Sequence, residues 1–334
     1  MTRHVPQRSV PGTMRAIVRD RYGSTEVLGL GDLPLPDIDE DGVLLRVRAA
    51  GVDRGVWHIM AGVPYLARLA FGVRRPRTRT LGREVAGVVE AAGARVTALR
   101  PGDEVFGTCD GSFAEYAAAK PAKLARKPSN LTFEQAAAVP VSGQTALQVV
   151  RDHGRVRAGQ RVLVIGASGG VGVFAVQVAK AMGAEVTGVC SAAKADLVRS
   201  VGADHVIDYA RAEITDDGRR YDVVLDLAGN RPLRLLRRVL THDGTLVIVG
   251  GEEGGRWTGV GRQFRAVTLS PFVRQRLRAF VTRENSRDLG SLTALIEAGD
   301  VTPVVDSARP LSDVPRAVDD LVAGRIRGKA VIVP

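Results

Sequence analysis

Only two cysteines, Cys109 and Cys190, occur among 334 residues, and they share no CxxC spacing. That count excludes a disulfide framework and a four-cysteine zinc site. A reducing compartment, most simply the cytoplasm, is the expected setting. Aromatic residues make up 4 %, too sparse to interleave with basic residues as a platform for stacked bases. No apolar run is long enough to cross a bilayer, so no integral membrane segment is expected. The first thirteen residues hold Arg3, His4 and Arg8 with Pro6 and Pro11 and no acid. No apolar stretch follows them, which argues against a secretory signal and for a disordered extension. No internal repeat appears, and no Ser/His/Asp or Cys/His arrangement has supporting context.

Charge of one sign is in excess: the formal net charge is +11, most of it arginine. The arginines are spread along the chain, so a nucleic-acid partner is not expected. Arg74, Arg75, Arg77 and Arg79 form the densest cluster, beside Pro76, and read as a solvated loop rather than as one that attracts an anionic substrate or surface. The length favours two domains, and the ordinary apolar content supplies a substantial core.

What the chain does have is centred on Arg161 to Ser191, RVLVIGASGGVGVFAVQVAKAMGAEVTGVCS. Val162 to Ile165 is a β-branched run suited to a buried parallel strand. A glycine turn follows, then an alanine-rich helix that Gly183 stops, then a second strand at Val186 to Val189. Glycines at a strand-to-helix junction let the backbone approach a pyrophosphate, which the N–H groups at the helix start meet. Ala167-Ser168-Gly169-Gly170-Val171-Gly172 is an AxGxxG variant of the dinucleotide fingerprint and is the expected cofactor turn. The second strand ends at Val189-Cys190-Ser191 without the Asp or Glu that would hold both ribose hydroxyls of NAD. Ser191 can donate to a 2′-phosphate and Lys194 can neutralise it, so the expected cofactor is NADP(H).

Before this unit, short apolar segments separated by turns begin at Met14 to Val18, Val43 to Ala49, Leu81 to Ala91 (broken by Gly87), Glu104 to Gly107 and Phe113 to Ala118. Their close spacing argues for a compact β-barrel-like first domain. Thr132 caps a helix over Phe133 to Ala138, and a second runs from Thr145 to about Asp152. Alternating elements continue through strands at Tyr221 to Ala228 and Thr245 to Gly250. An amphipathic helix at Val314 to Val322 and a last strand at Ala330 to Val333 return to the first domain. The site is expected between the domains, at the carboxyl ends of the parallel strands.

This order, with Leu81-Gly-Arg-Glu-Val-Ala-Gly87, Pro101-Gly-Asp-Glu-Val105, Gly111-Ser-Phe-Ala-Glu-Tyr116, Gly202-Ala-Asp-His-Val-Ile-Asp-Tyr209 and Arg327-Gly-Lys-Ala-Val331, resembles the medium-chain dehydrogenase/reductase superfamily. Gly254-Gly-Arg-Trp257 and Ser270-Pro-Phe-Val-Arg-Gln275 resemble its quinone oxidoreductase branch. The resemblance implies an α/β fold: a GroES-like β-rich catalytic domain plus a Rossmann doubly wound parallel-sheet cofactor domain. The expected boundaries are an extension at 1–13, a catalytic part at 14–137, an NADP(H)-binding part at 138–273 and a return to the catalytic domain at 274–334. It also implies a homodimer.

Zinc-dependent alcohol dehydrogenases of the superfamily carry a cysteine where Asp53 stands and Gly-His-Glu where Gly82-Arg83-Glu84 stands. A third ligand would fall near Val141 or Ser142. An arginine in place of an imidazole opposes Zn²⁺, so no metal is expected. Without a Lewis acid a plain carbonyl is a poor hydride acceptor, whereas a quinone or enone delocalises the incoming charge itself. The expected activity is NADPH-dependent reduction of a quinone or α,β-unsaturated carbonyl. A metal-free NADP-dependent alcohol or ketone dehydrogenase and a non-catalytic NADPH-binding relative stay open. On the substrate side the resemblance points to Tyr65 and Asp53 as catalytic residues, with Trp57 and His58 as packing. Arg83 is expected to pair with Glu84 or a nearby carboxylate. On the cofactor side the resemblance adds Tyr209 around the adenosine phosphate, and Thr145, Gly250 and Gly251 toward the nicotinamide. Tyr116-Ala-Ala-Ala-Lys120 fits YxxxK but precedes the glycine turn at a strand end, and is read as coincidence.

Overall fold

In the computed structural model, residues 12–216, 218–229, 231–250 and 261–334 are described. The first body is built on β3 (Val43–Val52), whose two faces and both edges are almost wholly buried. Around it lie β4 (Glu84–Ala92), β5 (Glu104–Thr108), β6 (Tyr116–Ala119) and β7 (Leu124–Arg126). From the far end of the chain come β14 (Val305–Pro310) and β15 (Lys329–Val333). The sheet order is β14-β15-β3-β4-β5-β7, with β6 also on β3. The hairpin of β1 (Thr13–Val18) and β2 (Gly29–Pro34) packs alongside through Ile17 N–H to Phe113 O at 2.8 Å. The last strand thus does return to the first body, antiparallel to β3 with Val331 opposite Gly51.

The second body is a parallel sheet of six strands, in the order β10-β9-β8-β11-β12-β13. These are β8 (Arg161–Ile165), β9 (Glu185–Cys190), β10 (His205–Asp208), β11 (Tyr221–Asp226), β12 (Leu240–Ile248) and β13 (Arg276–Ala279). The order reverses beside β8, so the crevice at its carboxyl end is the switch point where such sheets bind ligands. One buried apolar cluster contains Ala49, Ala86 and Phe106 of the first body together with Val164, Val173 and Val247 of the second. The seam is therefore core, and its burial holds the two bodies in one arrangement.

Several expectations are corrected. β13 pairs parallel with β12, so the cofactor sheet extends past residue 273. Its sequence, Arg-Leu-Arg-Ala, alternates charge with apolar side chains at the sheet's edge and lacks the continuous apolar run that marks the inner strands. β4 runs through Gly87 unbroken. A Cβ there would lie 2.3 Å from Arg46 O, so the glycine serves close strand approach. The second helix begins earlier, at Pro140–Gln148, with proline in its first turn, and continues as a π-helical segment at Val149–Gly154. Thr132 does cap the Phe133–Ala137 helix, and a full capping box is formed with Gln135. The extension expected at 1–13 lies largely outside the described residues, although Thr13 opens β1.

Candidate active site and cofactor cleft

Glu84 opens β4 at the seam and is fully buried. Its carboxylate pairs with Lys329, the first residue of β15, and accepts from Val141 N–H at 2.8 Å and Ser142 N–H at 3.3 Å. Those two amides belong to the first turn of the Pro140–Gln148 helix, whose unsatisfied N–H groups favour an anion. Only glycine fits at residue 51, since a Cβ there would lie 2.4 Å from Glu84 Oε2. Burial pushes the Glu84 carboxyl up to about 7, although Lys329 and the amide donors pull the other way.

Arg83 does not pair with Glu84. Its guanidinium pairs with Glu284, which also accepts from Thr108 Oγ1 at 3.0 Å and lies 3.5 Å from Lys123 Nζ. Burial works against the Arg83 charge, but Glu284, Asp53 and Asp110 outweigh it and hold the guanidinium above its ordinary value. The segment carrying Glu284 is laid along the Pro140–Gln148 helix. Thr145 Oγ1 bonds Thr282 Oγ1 at 2.6 Å, Gln148 Nε2 donates to Arg283 O at 2.7 Å, and Asn285 N–H donates to Gln144 Oε1 at 2.8 Å. The Thr145 hydroxyl, expected to approach the nicotinamide, is engaged by Val141 O and Thr282 Oγ1.

Asp53 follows β3 directly and caps the Arg54–Ala61 helix, its Oδ1 accepting from Gly55 N–H at 2.6 Å and Val56 N–H at 3.3 Å. The carboxylate expected to be catalytic is therefore half occupied by a structural cap. Its Oδ2 is buried and has no hydrogen-bond partner among the described residues. Trp57 and His58 meet edge to face at 4.9 Å, and His58 Nδ1 lies 3.0 Å from Val63 O, which fits packing roles. Tyr65 begins the short turn after Pro64 and carries the Arg68 guanidinium over its ring at 4.7 Å.

A Zn²⁺ ion does not fit these residues. Where the zinc enzymes carry a cysteine and a histidine, this chain has a helix-capping carboxylate and an ion-paired guanidinium. Val141 and Ser142 present amide N–H groups to Glu84. Among the described residues no group of three His, Cys, Asp or Glu side chains is placed to hold a metal. Cys109, near this network, is buried, and burial pushes its thiol far up.

A dinucleotide does fit the glycine turn. Gly169 caps the Gly170–Ala181 helix without a side chain, leaving the N–H groups of its first turn free for an anion. A Cβ at Gly172 would lie 2.1 Å from Gly166 O, so helix and strand meet at backbone distance. Gly166 itself stands at φ +85°. A Cβ at Gly170 would lie 2.9 Å from Lys329 Cδ and 3.2 Å from Ser142 Oγ, so Glu84's partner crosses the glycine turn. Gly328 N–H donates to Ser168 O at 3.0 Å, and Ala167 N–H to Val189 O at 3.0 Å. Val171 is partly buried against the core beneath the turn.

The residues expected at the adenosine end lie after β9 and β10. Ser191 precedes a 3₁₀ turn without making a side-chain cap bond, and Tyr209, 55 % exposed, donates its N–H to Cys190 O at 3.1 Å. Lys194 is not a free cation: Nζ donates to Gly324 O at 2.8 Å and Ile326 O at 2.5 Å, leaving one N–H. Burial lowers its pKa, and the nearby Arg327 charge adds to that lowering. The Arg327 side chain is exposed and makes no ion pair among the described residues. It is a second cation that residue-by-residue reading missed. Gly250 sits in a tight turn, where a Cβ would lie 2.4 Å from Leu227 O. Gly251 and Gly254 to Trp257 lie outside the described residues.

A β-rich body and a parallel dinucleotide-type sheet that share a buried seam define a two-domain nucleotide-dependent oxidoreductase. The pattern of the family described as "Alcohol dehydrogenase GroES-like domain" matches residues 39–129, and that described as "Zinc-binding dehydrogenase" matches residues 201–332. A 2-methylene-furan-3-one reductase of Solanum lycopersicum is 34 % identical over 98 % of this chain and 80 % of its own. An NADPH-dependent alkenal/one oxidoreductase, chloroplastic, of Arabidopsis thaliana is also 34 % identical, over 98 % of this chain and 81 % of its own. The quinone oxidoreductase structure from Coxiella burnetii superposes with a TM-score of 0.86 at 26 % identity, covering 96 % of this chain and 99 % of that one. The chain belongs to the medium-chain dehydrogenase/reductase superfamily, in its quinone oxidoreductase-like branch, and is an oxidoreductase using a nicotinamide cofactor.

The buried pair has a testable pH signature. The folded state keeps the Glu84 proton up to about pH 7, whereas an unfolded glutamate releases it near 4.5. The native state binds more protons between these values, so stability falls as pH rises through that window. Denaturant unfolding should show this slope flattened in Glu84→Gln. Lys329→Met removes the cation that holds the Glu84 pKa down, so Glu84 should keep its proton past pH 7 and the variant should lose most stability relative to the parent at pH 8. That loss should shrink toward pH 5.

Proposed function

We propose that the protein is a zinc-independent NADPH-dependent reductase of quinones or α,β-unsaturated carbonyls. The observation that carries this reading is Arg83, paired with Glu284 and facing Asp53 at the position where the zinc enzymes hold a histidine. A site so built offers hydrogen bonds and a fixed positive charge to an acceptor but no Lewis acid. Acceptors that spread the incoming charge over a conjugated system need no more. The names of the alkenal/one and furanone reductases support the enone class, and that of the Coxiella protein supports quinones.

The cofactor, when bound, supplies hydride. Its pyrophosphate would rest on residues 167–172, with Lys329 alongside, and its 2′-phosphate on Ser191, Lys194, Tyr209 and Arg327. Thr145 and Gly250 would stand toward the nicotinamide half. On the acceptor side Tyr65 is the proton donor, and Asp53 Oδ2 is free to accept from a hydroxyl. A homodimer paired through the edge of the cofactor sheet, in the cytoplasm, belongs to the same reading. The two buried thiols fit a reducing compartment.

NADPH oxidation followed with quinones, enones, plain aldehydes and primary alcohols tests the reaction class. Turnover of quinones or enones is expected, and unreactive acceptors combined with tight NADPH binding would instead indicate a binding protein. Tyr65→Phe should lower kcat by about 100-fold. An unchanged kcat would leave Tyr65 as a loop anchor.

Protein purified without chelator should contain no stoichiometric zinc by elemental analysis and should keep its activity in a chelator. Brisk alcohol oxidation abolished by the chelator would refute the reading.

Coenzyme choice is tested by comparing KM for NADPH and NADH. Lys194→Ala and Arg327→Ala should each raise KM for NADPH by about tenfold, the worth of one charge-assisted bond, and leave NADH little changed.

A further inference from the structure

Residues 65–79, Tyr-Leu-Ala-Arg-Leu-Ala-Phe-Gly-Val-Arg-Arg-Pro-Arg-Thr-Arg, contain five arginines and no acid. The sequence reads there as a solvated loop, but the structure puts large apolar side chains in solvent beside the arginines. Leu66 is 56 % exposed, Leu69 63 %, Phe71 41 % and Val73 63 %. Leu66 and Leu69 stand three residues apart on a helical turn and so share a side.

The tip is held in shape. Tyr22 Oη donates to Gly72 O at 2.6 Å, and Arg77 N–H donates to Phe71 O at 2.8 Å. Gly72 stands at φ +116°, where a Cβ would meet Arg75 O at 2.0 Å. Below it, Arg68 lies over the rings of Tyr22 at 4.6 Å and Tyr65 at 4.7 Å, and donates from Nε to Gly62 O at 2.8 Å. Arg79 pairs with Asp20 at 2.8 Å, whereas Arg74, Arg75 and Arg77 make no ion pair among the described residues.

We propose that this tip, residues 66–77, is a docking surface for an anionic lipid bilayer. Contiguous exposed apolar side chains mark contact surfaces rather than ordinary solvent-facing loops. Aliphatic and phenyl groups beside unpaired arginines match the boundary between acyl chains and acidic headgroups. The apolar groups enter that boundary and the long arginine stems carry their charge back to the phosphates. The surplus positive charge selects an acidic surface. A nucleic acid would meet the arginines but leave the leucines in water. The contact is peripheral, consistent with no helix among the described residues being long and apolar enough to cross a membrane. It stands apart from the acceptor's identity.

The test is co-sedimentation of the full chain with vesicles of phosphatidylcholine alone or with about 30 mol% phosphatidylglycerol, near 0.15 M ionic strength, about the physiological value. Pelleting with the anionic vesicles and not the neutral ones is expected. Arg74→Gln, Arg75→Gln and Arg77→Gln together should weaken that binding about 100-fold. Leu69→Ser, Phe71→Ser and Val73→Ser together should abolish it at this salt, with thermal unfolding unchanged because all three side chains are exposed. Failure of the wild-type protein to pellet, or equal pelleting with both vesicles, would overturn the proposal. So would competition by soluble polyglutamate that the serine variant leaves intact, which would point to an acidic protein. Conversion of a dimer to a monomer by the serine variant, without vesicle binding by the wild type, would point to a second copy and overturn it as well.

Discussion

The buried Glu84–Lys329 pair is the constraint on which the geometry of the cleft rests. It joins the start of β4, the start of β15 and the first turn of the Pro140–Gln148 helix, three elements far apart in sequence. Removing two charges from water costs several kcal/mol per ion, and their attraction need not repay it. The raised Glu84 pKa says the same: ionisation is less favourable in the fold than in water. The pair's contribution is therefore placement. It holds the lysine stem against Gly170 and thereby ties the closing strand of one body to the nucleotide turn of the other. The Gly328 amide on Ser168 O reinforces the same joint.

Arg83 and Glu284 pair where the zinc enzymes of the superfamily gather metal ligands. Zn²⁺ would gather side chains from several loops around one dense positive charge. Here a guanidinium supplies the positive charge and Glu284, Asp53 and Asp110 surround it. Glu284 comes from the segment after the cofactor sheet, so the network is also a clasp across the seam. A planar guanidinium can donate hydrogen bonds but cannot accept a lone pair from a carbonyl oxygen as a metal does. Under the proposed function, electrophilic strength then comes from the acceptor's own conjugation.

Most of the fold was legible because its strands carry the signals that burial demands. The β-branched run at residues 162–165, the glycine turn and the capped helix at Thr132 are local patterns with one good solution each. Boundaries failed where charge masked burial, as in the edge strand Arg276–Ala279, or where a glycine served packing rather than a break, as at Gly87. The backbone geometry of the glycine turn was legible for the same local reason. The rest of the site was not, because its partners are distant in sequence: Arg83 lies 201 residues from Glu284, and Glu84 lies 245 from Lys329. One clue was available. Lys329 opens a strand that is otherwise Ala-Val-Ile-Val, and a lone charge in such a run needs a buried partner. Nothing around Glu284 gave a comparable signal.

The Asp53–Tyr65 stretch, the acceptor side under the proposed function, is built differently from the cofactor sheet. The cofactor sheet is held by apolar packing, whereas the Arg54–Ala61 helix combines buried Val56 and Met60 with polar groups that cap both its ends. Asp53 caps the start of the Arg54–Ala61 helix, and buried Arg19 donates to the Ile59 and Met60 carbonyls near its end, at 2.6 and 3.0 Å. Both charges suit the helix dipole at their respective ends. Hydrogen bonds of this kind are directional, so they fix the helix axis while leaving its exposed face and the following loop uncommitted to the core. Under the proposed function, acceptor preference is then set along that loop, apart from the sheet that carries the cofactor.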